Sequence, residues 1–255
     1  MATSQAGSGT KLKDELTYRA CDGVDDFRQC VALQKSVWRF ADEDLLPTRL
    51  FVVGQKIGGQ IFGAFDSHGK LAGFCLSIPA LRNGKSYLHS HMLGVLPQYQ
   101  NLHVGRRLKL MQRDDAIARA IPLIEWTFDP LELKNAFFNV MRLGAIVRRY
   151  VPNQYGASSS ALQHGLPTDR LVAEWWVTGD RAASPGNSGL AEKRIVCRAD
   201  ILEVKQTDSK AALDVQTRLR EEFQAAFRDG YAVTGFERGD KECAYLLDRA
   251  PQPAL

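Results

Sequence analysis

The chain alternates between short apolar runs and longer segments in which apolar residues recur every three or four positions. The short runs, bounded by Gly, Pro, Asn or Asp, predict strands, and the longer spacing predicts amphipathic helices. The predicted strands are residues 16–20, 60–65, 71–81, 87–95, 123–128, 145–151, 171–178, 195–204 (one strand or a pair), 231–236 and 243–247. The predicted helices are residues 24–40, 48–58, 104–120, 131–143 and 209–228.

The connections between these segments indicate how the strands pair. Residues 66–69 and 82–85 have turn chemistry, so the three strands that they join should be antiparallel. A helix separates the strand at 87–95 from the strand at 123–128, which predicts a parallel pair through a right-handed crossover. The pattern therefore predicts an α/β (α+β) fold with a mixed, largely antiparallel sheet flanked by helices.

Local composition divides the chain into four parts. Residues 1–13 are rich in Ser, Gly and Ala and predict a disordered tail, and residues 14–178 form the main predicted domain. Residues 179–190 are polar and contain Pro185, which predicts a linker. Residues 191–255 are interpreted as an αββ extension packed on the same sheet, with a separate small lobe as the alternative.

Overall composition excludes several classes of protein. The chain is 45% hydrophobic and 24% charged, as in ordinary soluble proteins, and no apolar run approaches a membrane span. The net charge of +4 is too mild to indicate nucleic acid as a partner. Five widely spaced cysteines form no C-x-x-C pair, so we expect no disulfide framework, no metal and a cytoplasmic location. A monomer or a homodimer is compatible with this composition.

The segment 88–110 predicts a strand, a turn and a helix, and such a junction can bind an anion. The first N–H groups of a helix have no intrahelical partner, so they can bind phosphate. Gly105 lacks a Cβ and lets a ligand approach the backbone. Arg106, Arg107 and Lys109 are expected to add positive charge beside this site.

Val95-Leu96-Pro97 and the following Gln100-Asn101-Leu102-His103-Val104-Gly105 resemble the acyl-CoA signature of the GNAT acetyltransferase superfamily, V-x-P-x-x-(Q/R)-x-x-G-x-(G/A). His103 occupies the position of the first glycine of that signature. Within the superfamily the chain is most similar to a group of predicted acetyltransferases that share an Asn-rich helix, a Val-Arg-Arg-Tyr segment and a Glu-Trp-Trp strand. The order of strands and helices extends the resemblance to about the first two thirds of the chain.

The resemblance implies a fold in which the parallel strands splay apart and acetyl-CoA, or another acyl-CoA, lies in the gap as co-substrate. The residues that it places at this ligand are Leu93, Gly94, Val95, Gln100, Asn101, Leu102, His103, Val104, Gly105, Arg106, Asn135 and Asn139. The structural alternatives are a plain central strand for residues 93–95, an ordinary strand-to-helix turn for residues 100–106 and a solvated polar stripe for Asn135 and Asn139.

The resemblance also implies chemistry at the central strand. His91 and His89 share one face of that strand and are candidate bases for the ammonium proton, with Glu125 on the facing strand as a further candidate. Each could instead be a buried, hydrogen-bonded core residue. The tyrosine that relatives use as the acid corresponds to Val140, which leaves Tyr150, Tyr155, a water molecule or no chemistry.

The aromatic residues Tyr150, Tyr155, Trp175 and Trp176 could line an acceptor pocket, although core packing is an alternative for at least half of them. Of the adjacent Arg148 and Arg149, strand alternation allows at most one to face a pocket. The leading hypothesis is an N-acyltransferase that transfers acetyl from acetyl-CoA to an amine of a small molecule or peptide in a ternary complex. The alternative is a protein that binds CoA without catalysis.

Overall fold

Ten strands and six α-helices make up the part of the chain that the computed structural model describes, residues 15–178 and 191–250. The strands are β1 Thr17–Ala20, β2 Gln60–Phe65, β3 Leu71–Arg82, β4 Lys85–Val95, β5 Leu123–Phe128, β6 Ile146–Val151, β7 Arg170–Trp176, β8 Lys193–Arg198, β9 Tyr231–Glu237 and β10 Glu242–Arg249. The helices are α1 Gly23–Trp38, α2 Thr48–Lys56, α3 Val104–Ala118, α4 Leu133–Phe137, α5 Ile201–Thr207 and α6 Ser209–Arg228. None of these described helices is long and apolar enough to cross a bilayer. The predicted tail at 1–13 and linker at 179–190 lie outside the described residues.

All ten strands belong to one sheet, in the order β1-β2-β3-β4-β5-β7-β6-β9-β10-β8. The β4–β5 pair is parallel, and the other neighbouring pairs are antiparallel. Because α3 connects β4 to β5, the parallel pair follows from the crossover that the sequence predicts. The predicted mixed, largely antiparallel sheet flanked by helices is confirmed.

Alternation along the strands separates two small cores in the first half of the chain. Phe74 points to one face, where it packs with Phe51 and Phe27 beneath α1 and α2. The next residue, Cys75, points to the opposite face and packs with Leu108 of α3. The sheet is therefore covered on both faces where β4 lies.

A larger core joins the second half of the chain to β5 and β7. Leu219 and Phe223 of α6 are fully buried, and Phe223 lies edge-on to the ring of Tyr245 on β10. The Tyr245 hydroxyl donates to the carbonyl of Pro130 at 2.6 Å. Strands β8–β10 thus continue the sheet and share its core.

Two predicted elements differ from the structure. Residues 195–204 are a strand only as far as Arg198, and α5 follows because Ile201, Val204 and Lys205 have helical spacing and are buried together. A short apolar run does not distinguish these two forms. The helix predicted at 131–143 begins at Leu133 and continues beyond α4 as a π-helix over Phe138–Arg142. Such π segments are frequent at functional sites.

Candidate functional site

Strands β4 and β5 separate soon after they meet. Within the described residues their parallel ladder consists of two pairs, Leu88 with Ile124 and His89 with Glu125. Beyond these pairs β4 remains bonded to β3 and β5 remains bonded to β7, so the two inner edges face each other across a gap. Free backbone groups on such edges can pair with an extended ligand. The predicted splay is confirmed.

The direction of the β4 peptide groups is set by their pairing with β3. Leu96 N–H donates to Ala72 O on the β3 side at 2.9 Å. Because N–H direction alternates along an antiparallel ladder, the Gly94 N–H also points to β3, whereas the N–H groups of Leu93 and Val95 point into the gap. Gln100 Nε2 already donates to Val95 O at 3.1 Å from the gap side. Of the three predicted backbone donors, Leu93 and Val95 therefore face the gap and Gly94 does not.

Gly94 has a different role in this strand. A Cβ at this position would lie 2.8 Å from Cη2 of Trp38 and 3.0 Å from Cδ2 of Leu33. Real Cβ contacts are almost never as short as 2.8 Å, so a larger residue here would displace the Trp38 ring from β4. The glycine positions a wall of the gap.

The turn before α3 has an unusual backbone. Asn101 and His103 both adopt the left-handed conformation, with φ of 62° and 61°. His103 thus takes the conformation that the signature glycine would favour, and histidine and asparagine are among the non-glycine residues that tolerate it best.

The start of α3 leaves backbone donors available. Arg107 N–H bonds to His103 O at 3.0 Å, and within the described residues no side chain caps this helix. The N–H groups of Val104, Gly105 and Arg106 precede the first intrahelical bond and lie at the positive end of the helix dipole. This arrangement can bind a phosphate group.

An open groove of about 810 Å³ lies beside the start of α3 and extends to the gap. Its walls are Leu93, Val95, Tyr99, Gln100, Asn101, His103, Val104, Gly105, Arg106, Phe137, Phe138, Met141 and Arg142. Eight of the predicted ligand-binding residues are in this set. Leu102 is exposed and lies outside it. Gly105 has no side chain, so a ligand in the groove can approach its backbone.

The predicted cluster of positive charge is smaller than the sequence indicates. Arg106 is exposed at the groove, but the Arg107 guanidinium lies 4.1 Å from the centre of the Tyr18 ring. Lys109 is only 2% exposed and points into the protein, and Arg113 pairs with Asp114. These side chains therefore form no continuous basic surface.

His91 sits at an irregularity in β4. Leu76 lies opposite Met92 and Ser77 opposite Ser90, so His91 is the extra residue of a β-bulge. Its ring centre is 6.1 Å from that of His89. Burial lowers the pKa of both histidines below the ordinary 6.5; the Glu125 carboxylate opposes this at His89. The His91 side chain is exposed to a cavity that it lines, and the surrounding walls of that cavity reduce its contact with water.

That cavity, of about 400 Å³, occupies the gap between β4 and β5. Asn135 and Asn139, predicted to bind the cofactor, line this cavity and not the groove. Leu93 and Phe138 line both spaces, so the cavity and the groove adjoin.

A loop between β6 and β7 forms one side of the cavity. Ser159 donates to Asp44 Oδ2 through its N–H at 2.8 Å and its hydroxyl at 2.6 Å, and Ser160 Oγ donates to Trp38 O at 3.3 Å. These bonds hold the loop against the segment that follows α1. Trp38 and Phe40 consequently face the gap from a distant part of the sequence.

No protein-family model and no curated protein sequence matches this chain. Solved structures do match it. A candidate GNAT-family acetyltransferase from Desulfovibrio desulfuricans aligns with a TM-score of 0.52 and 15% identity over 64% of this chain and 100% of its own. A candidate acetyltransferase from Acinetobacter baylyi aligns with a TM-score of 0.53 and 12% identity over 68% of this chain and 98% of its own. The ribosomal-protein-S18-alanine N-acetyltransferase from Escherichia coli aligns with a TM-score of 0.50 and 15% identity over 67% of this chain and 100% of its own.

The chain has the GNAT fold. The splayed β4–β5 pair and the uncapped start of α3 are the parts of this fold that the sequence signature predicts, and the predicted GNAT-like fold is confirmed. The three neighbours account for about two thirds of this chain, so its remaining third is additional to them.

In this GNAT-fold protein Glu125 lies in an ion-pair cluster. Its carboxylate accepts from Arg82 Nη2 at 2.9 and 3.1 Å and pairs with Arg149. Arg148 and Arg149 both reach Glu174, because a β-bulge at Arg148 interrupts the alternation of β6. The two guanidinium groups therefore meet at one carboxylate, and neither side chain lines the cavity or the groove.

The candidate positions for the acid differ in their surroundings. Val140, at the position of the usual tyrosine, is fully buried in the core. The Tyr150 hydroxyl donates to Asp169 within that core, where burial raises the pKa of Tyr150. Trp175 and Trp176 are also buried and line neither the cavity nor the groove. Tyr155 does line the cavity, with its Oη 3.2 Å from Thr127 Oγ1.

Sequence reasoning missed several residues of the GNAT-fold site. Ser90, Lys109 and Trp126 meet where the gap begins, yet the sequence places Lys109 among exposed arginines. Its helical position could have raised the question, because Leu108 and Gln112 on either side of it are buried. Trp38 and Phe40 carry no local signal, since only the tertiary fold brings them to the cavity.

Proposed function

We propose that this protein is an N-acyltransferase that transfers an acyl group from an acyl-CoA thioester to an amine by direct attack in a ternary complex. One observation carries the proposal. The gap between β4 and β5 opens after two residue pairs, and its β4 edge leads to uncapped helix amides through an open groove. A diphosphate with an extended amide-containing arm fits such a site chemically.

The residues of the groove would hold the donor in three places. The N–H groups of Val104, Gly105 and Arg106 would bind the diphosphate, with the Arg106 side chain adding charge. The gap-facing peptide groups of Leu93 and Val95 would pair with the pantetheine arm. Leu93 N–H would also bind the thioester oxygen and stabilise the negative charge that develops on it during attack.

The cavity would admit the acceptor amine beside His91. The amine nitrogen forms a bond to the thioester carbonyl carbon, the carbon–sulfur bond breaks, and the ammonium proton passes to His91. We assign this role to His91 before His89 because only His91 lines the cavity. The departing thiolate would take a proton from the Tyr155 hydroxyl or from water. Glu125, with two arginines on its carboxylate, would position the strand end and not act as the base.

Calorimetry with acetyl-CoA tests the first step directly. We expect one site with a dissociation constant between about 1 μM and 1 mM, the range usual for enzyme substrates. No detectable heat at millimolar acetyl-CoA, from protein shown to be folded, would overturn the proposal. Binding of acetyl-CoA without loss of the thioester would not overturn it, because this titration contains no amine.

The alternative of CoA binding without catalysis has one supporting observation, the buried Val140 at the usual acid position. Incubation of acetyl-CoA with a broad panel of small amines and N-terminal peptides separates the two functions. Release of free thiol that depends on both protein and amine eliminates the binding-only function. Binding of acetyl-CoA with no thiol release from any amine would favour it.

A further inference from the structure

Among the described residues two lysines are equally buried, and only one of these two has a carboxylate partner. Lys205 and Lys109 are each 2% exposed. Lys205 Nζ lies 3.0 Å from Asp129 Oδ2 and 3.6 Å from Glu132 Oε1. Within the described ranges no carboxylate lies within 4.0 Å of Lys109 Nζ, which bonds to Ser90 Oγ at 2.8 Å and stands 3.6 Å from the centre of the Trp126 ring.

Lys109 occupies the point where β4 and β5 separate. Ser90 is the first residue of β4 after the last residue pair, and Trp126 is the first residue of β5 after it. The lysine extends from α3 between these two residues, and all three line the cavity. Its amine therefore lies at the closed end of the gap, on the floor of the space where the acyl group would sit.

An unpaired ammonium in such a place is unfavourable. Removal from water penalises the charged form unless an opposite charge is supplied. The Ser90 hydroxyl donates onward to Gln112 Oε1 at 2.9 Å, so it neutralises no charge. Burial consequently lowers the pKa of Lys109 to about 7. Lys205, which is equally buried, has the carboxylate of Asp129 as its counter-charge at 3.0 Å.

We propose that Lys109 binds a carboxylate at the far end of the acyl group, and that the preferred donor is therefore the CoA thioester of a short dicarboxylic acid. This inference rests on the proposed function, because it places the thioester at Leu93. The ligand would supply the counter-charge that the protein lacks, and the Ser90 hydroxyl and Trp126 ring would hold the ammonium in position.

Chain length follows from the spacing along β4. Ser90 and Leu93 are three residues apart, which is at most about 10 Å at the rise of a regular strand, and the bulge at His91 shortens this distance. A thioester oxygen bonded to Leu93 N–H and a carboxylate bonded to the Lys109 ammonium are therefore joined by a short chain. A diacyl chain of three or four carbons, at about 1.5 Å per bond, is of this size.

Binding of succinyl-CoA and butyryl-CoA by the full chain tests the inference. The two acyl chains have the same number of carbons, and only the first carries a carboxylate. A charge-assisted hydrogen bond predicts a dissociation constant at least about 10-fold lower for succinyl-CoA. Succinyl-CoA should also bind with uptake of protons at pH 8, measured in buffers of different ionisation enthalpy, because the free lysine is largely neutral there and the complexed lysine is charged.

Cys75 on β3 and His89 on β4 interact electrostatically with Lys109, and His91, Asp129 and Glu132 line the same cavity. These groups should not change the comparison, since all of them are present with either ligand. In Lys109→Met, which keeps the length and removes the charge, we expect the two thioesters to bind within about twofold and proton uptake to disappear. Lys134→Met, an exposed lysine of α4 outside the cavity, should keep the preference. Ser90→Ala should reduce the preference and serves as a second variant if Lys109→Met fails to fold.

The outcomes separate this inference from the function on which it rests. Failure of every thioester to bind would overturn the proposed function and the inference together. Equal binding of succinyl-CoA and butyryl-CoA by the wild-type protein would overturn the inference alone. An acyl adduct on the peptide containing Lys109, detected by mass spectrometry, would also overturn it, since the lysine would then be a nucleophile.

Discussion

Gly105 offers a substitution whose effects on stability and on ligand binding should have opposite signs. The residue lies in the first turn of α3 with an ordinary helical backbone. A Cβ built on it would be 3.6 Å from Cδ2 of Leu93 and 3.8 Å from Cγ2 of Val95, which are normal van der Waals distances. Gly105→Ala is therefore accepted by the folded protein, and its methyl group would lie against two side chains that line the groove.

The magnitudes follow from these contacts. Alanine is preferred to glycine in a helix interior by about 1 kcal/mol, and we expect about half of that in the first turn. A phosphate oxygen bonded to a helix amide lies about 2.9 Å from the nitrogen, whereas it needs at least about 3.3 Å from a methyl carbon. The methyl group would displace the phosphate and remove about one charge-assisted hydrogen bond, which corresponds to a loss of affinity of about 10-fold or more.

Thermal unfolding without ligand and calorimetry with acetyl-CoA measure the two effects separately. Gly54→Ala is a matched control, because Gly54 lies in helix α2 and its Cβ would be 3.8 Å from the nearest side chain. Both variants should unfold about 1–2 °C above the wild type. Only Gly105→Ala should lose affinity. Unchanged affinity in a folded Gly105→Ala protein would refute the placement of the diphosphate at the start of α3.

Three further predictions concern the cavity and its surroundings. His91→Ala should lower turnover by about 100-fold with little change in acetyl-CoA affinity. Because burial lowers the pKa of His91, the wild-type rate should rise with pH through a value below 6.5 and be level from pH 7 to 8. A pH–rate profile still rising above pH 7.5 would exclude this base. Tyr155→Phe should lower turnover about 10-fold and leave binding intact if its hydroxyl protonates the thiolate, and equal turnover in single-turnover assays would assign that step to water. Glu125→Gln should lower the free energy of unfolding by about 1–3 kcal/mol in urea titrations. This loss is smaller than the full effect of breaking a buried pair, because the Arg82 and Arg149 side chains are 29% and 43% exposed and can be hydrated again. No loss of stability would show that the ion pairs contribute nothing.

Much of the fold is readable from local pattern. The turn chemistry at 66–69 and 82–85 predicts the β2–β3–β4 antiparallel strands, and the helix after β4 predicts the parallel β5. These features depend on residues adjacent in sequence, where backbone geometry is decided by glycine, proline and apolar spacing. The run after Arg198 forms helix α5 where the sequence predicts a strand, since α5 is too short for its period to be distinguished from that of a strand.

Side-chain direction within β strands proved less predictable. Alternation correctly turns Leu93 and Val95 into the gap, but bulges at His91 and Arg148 shift the alternation by one residue. A bulge is an unpaired residue, and whether one occurs depends on the partner strand. No pattern within β4 or β6 alone indicates it.

The sequence by itself determined the order of the elements, the parallel crossover and the turn before α3, because each depends on local backbone preference and on the spacing of apolar residues. Only the tertiary structure decided that Lys109 is buried between Ser90 and Trp126, and that Trp38 and Tyr155 reach the same cavity from opposite ends of the domain. Burial and the proximity of distant segments depend on which faces pack together. A charged residue in a helix therefore shows its surroundings only when the strands that cover it are in place.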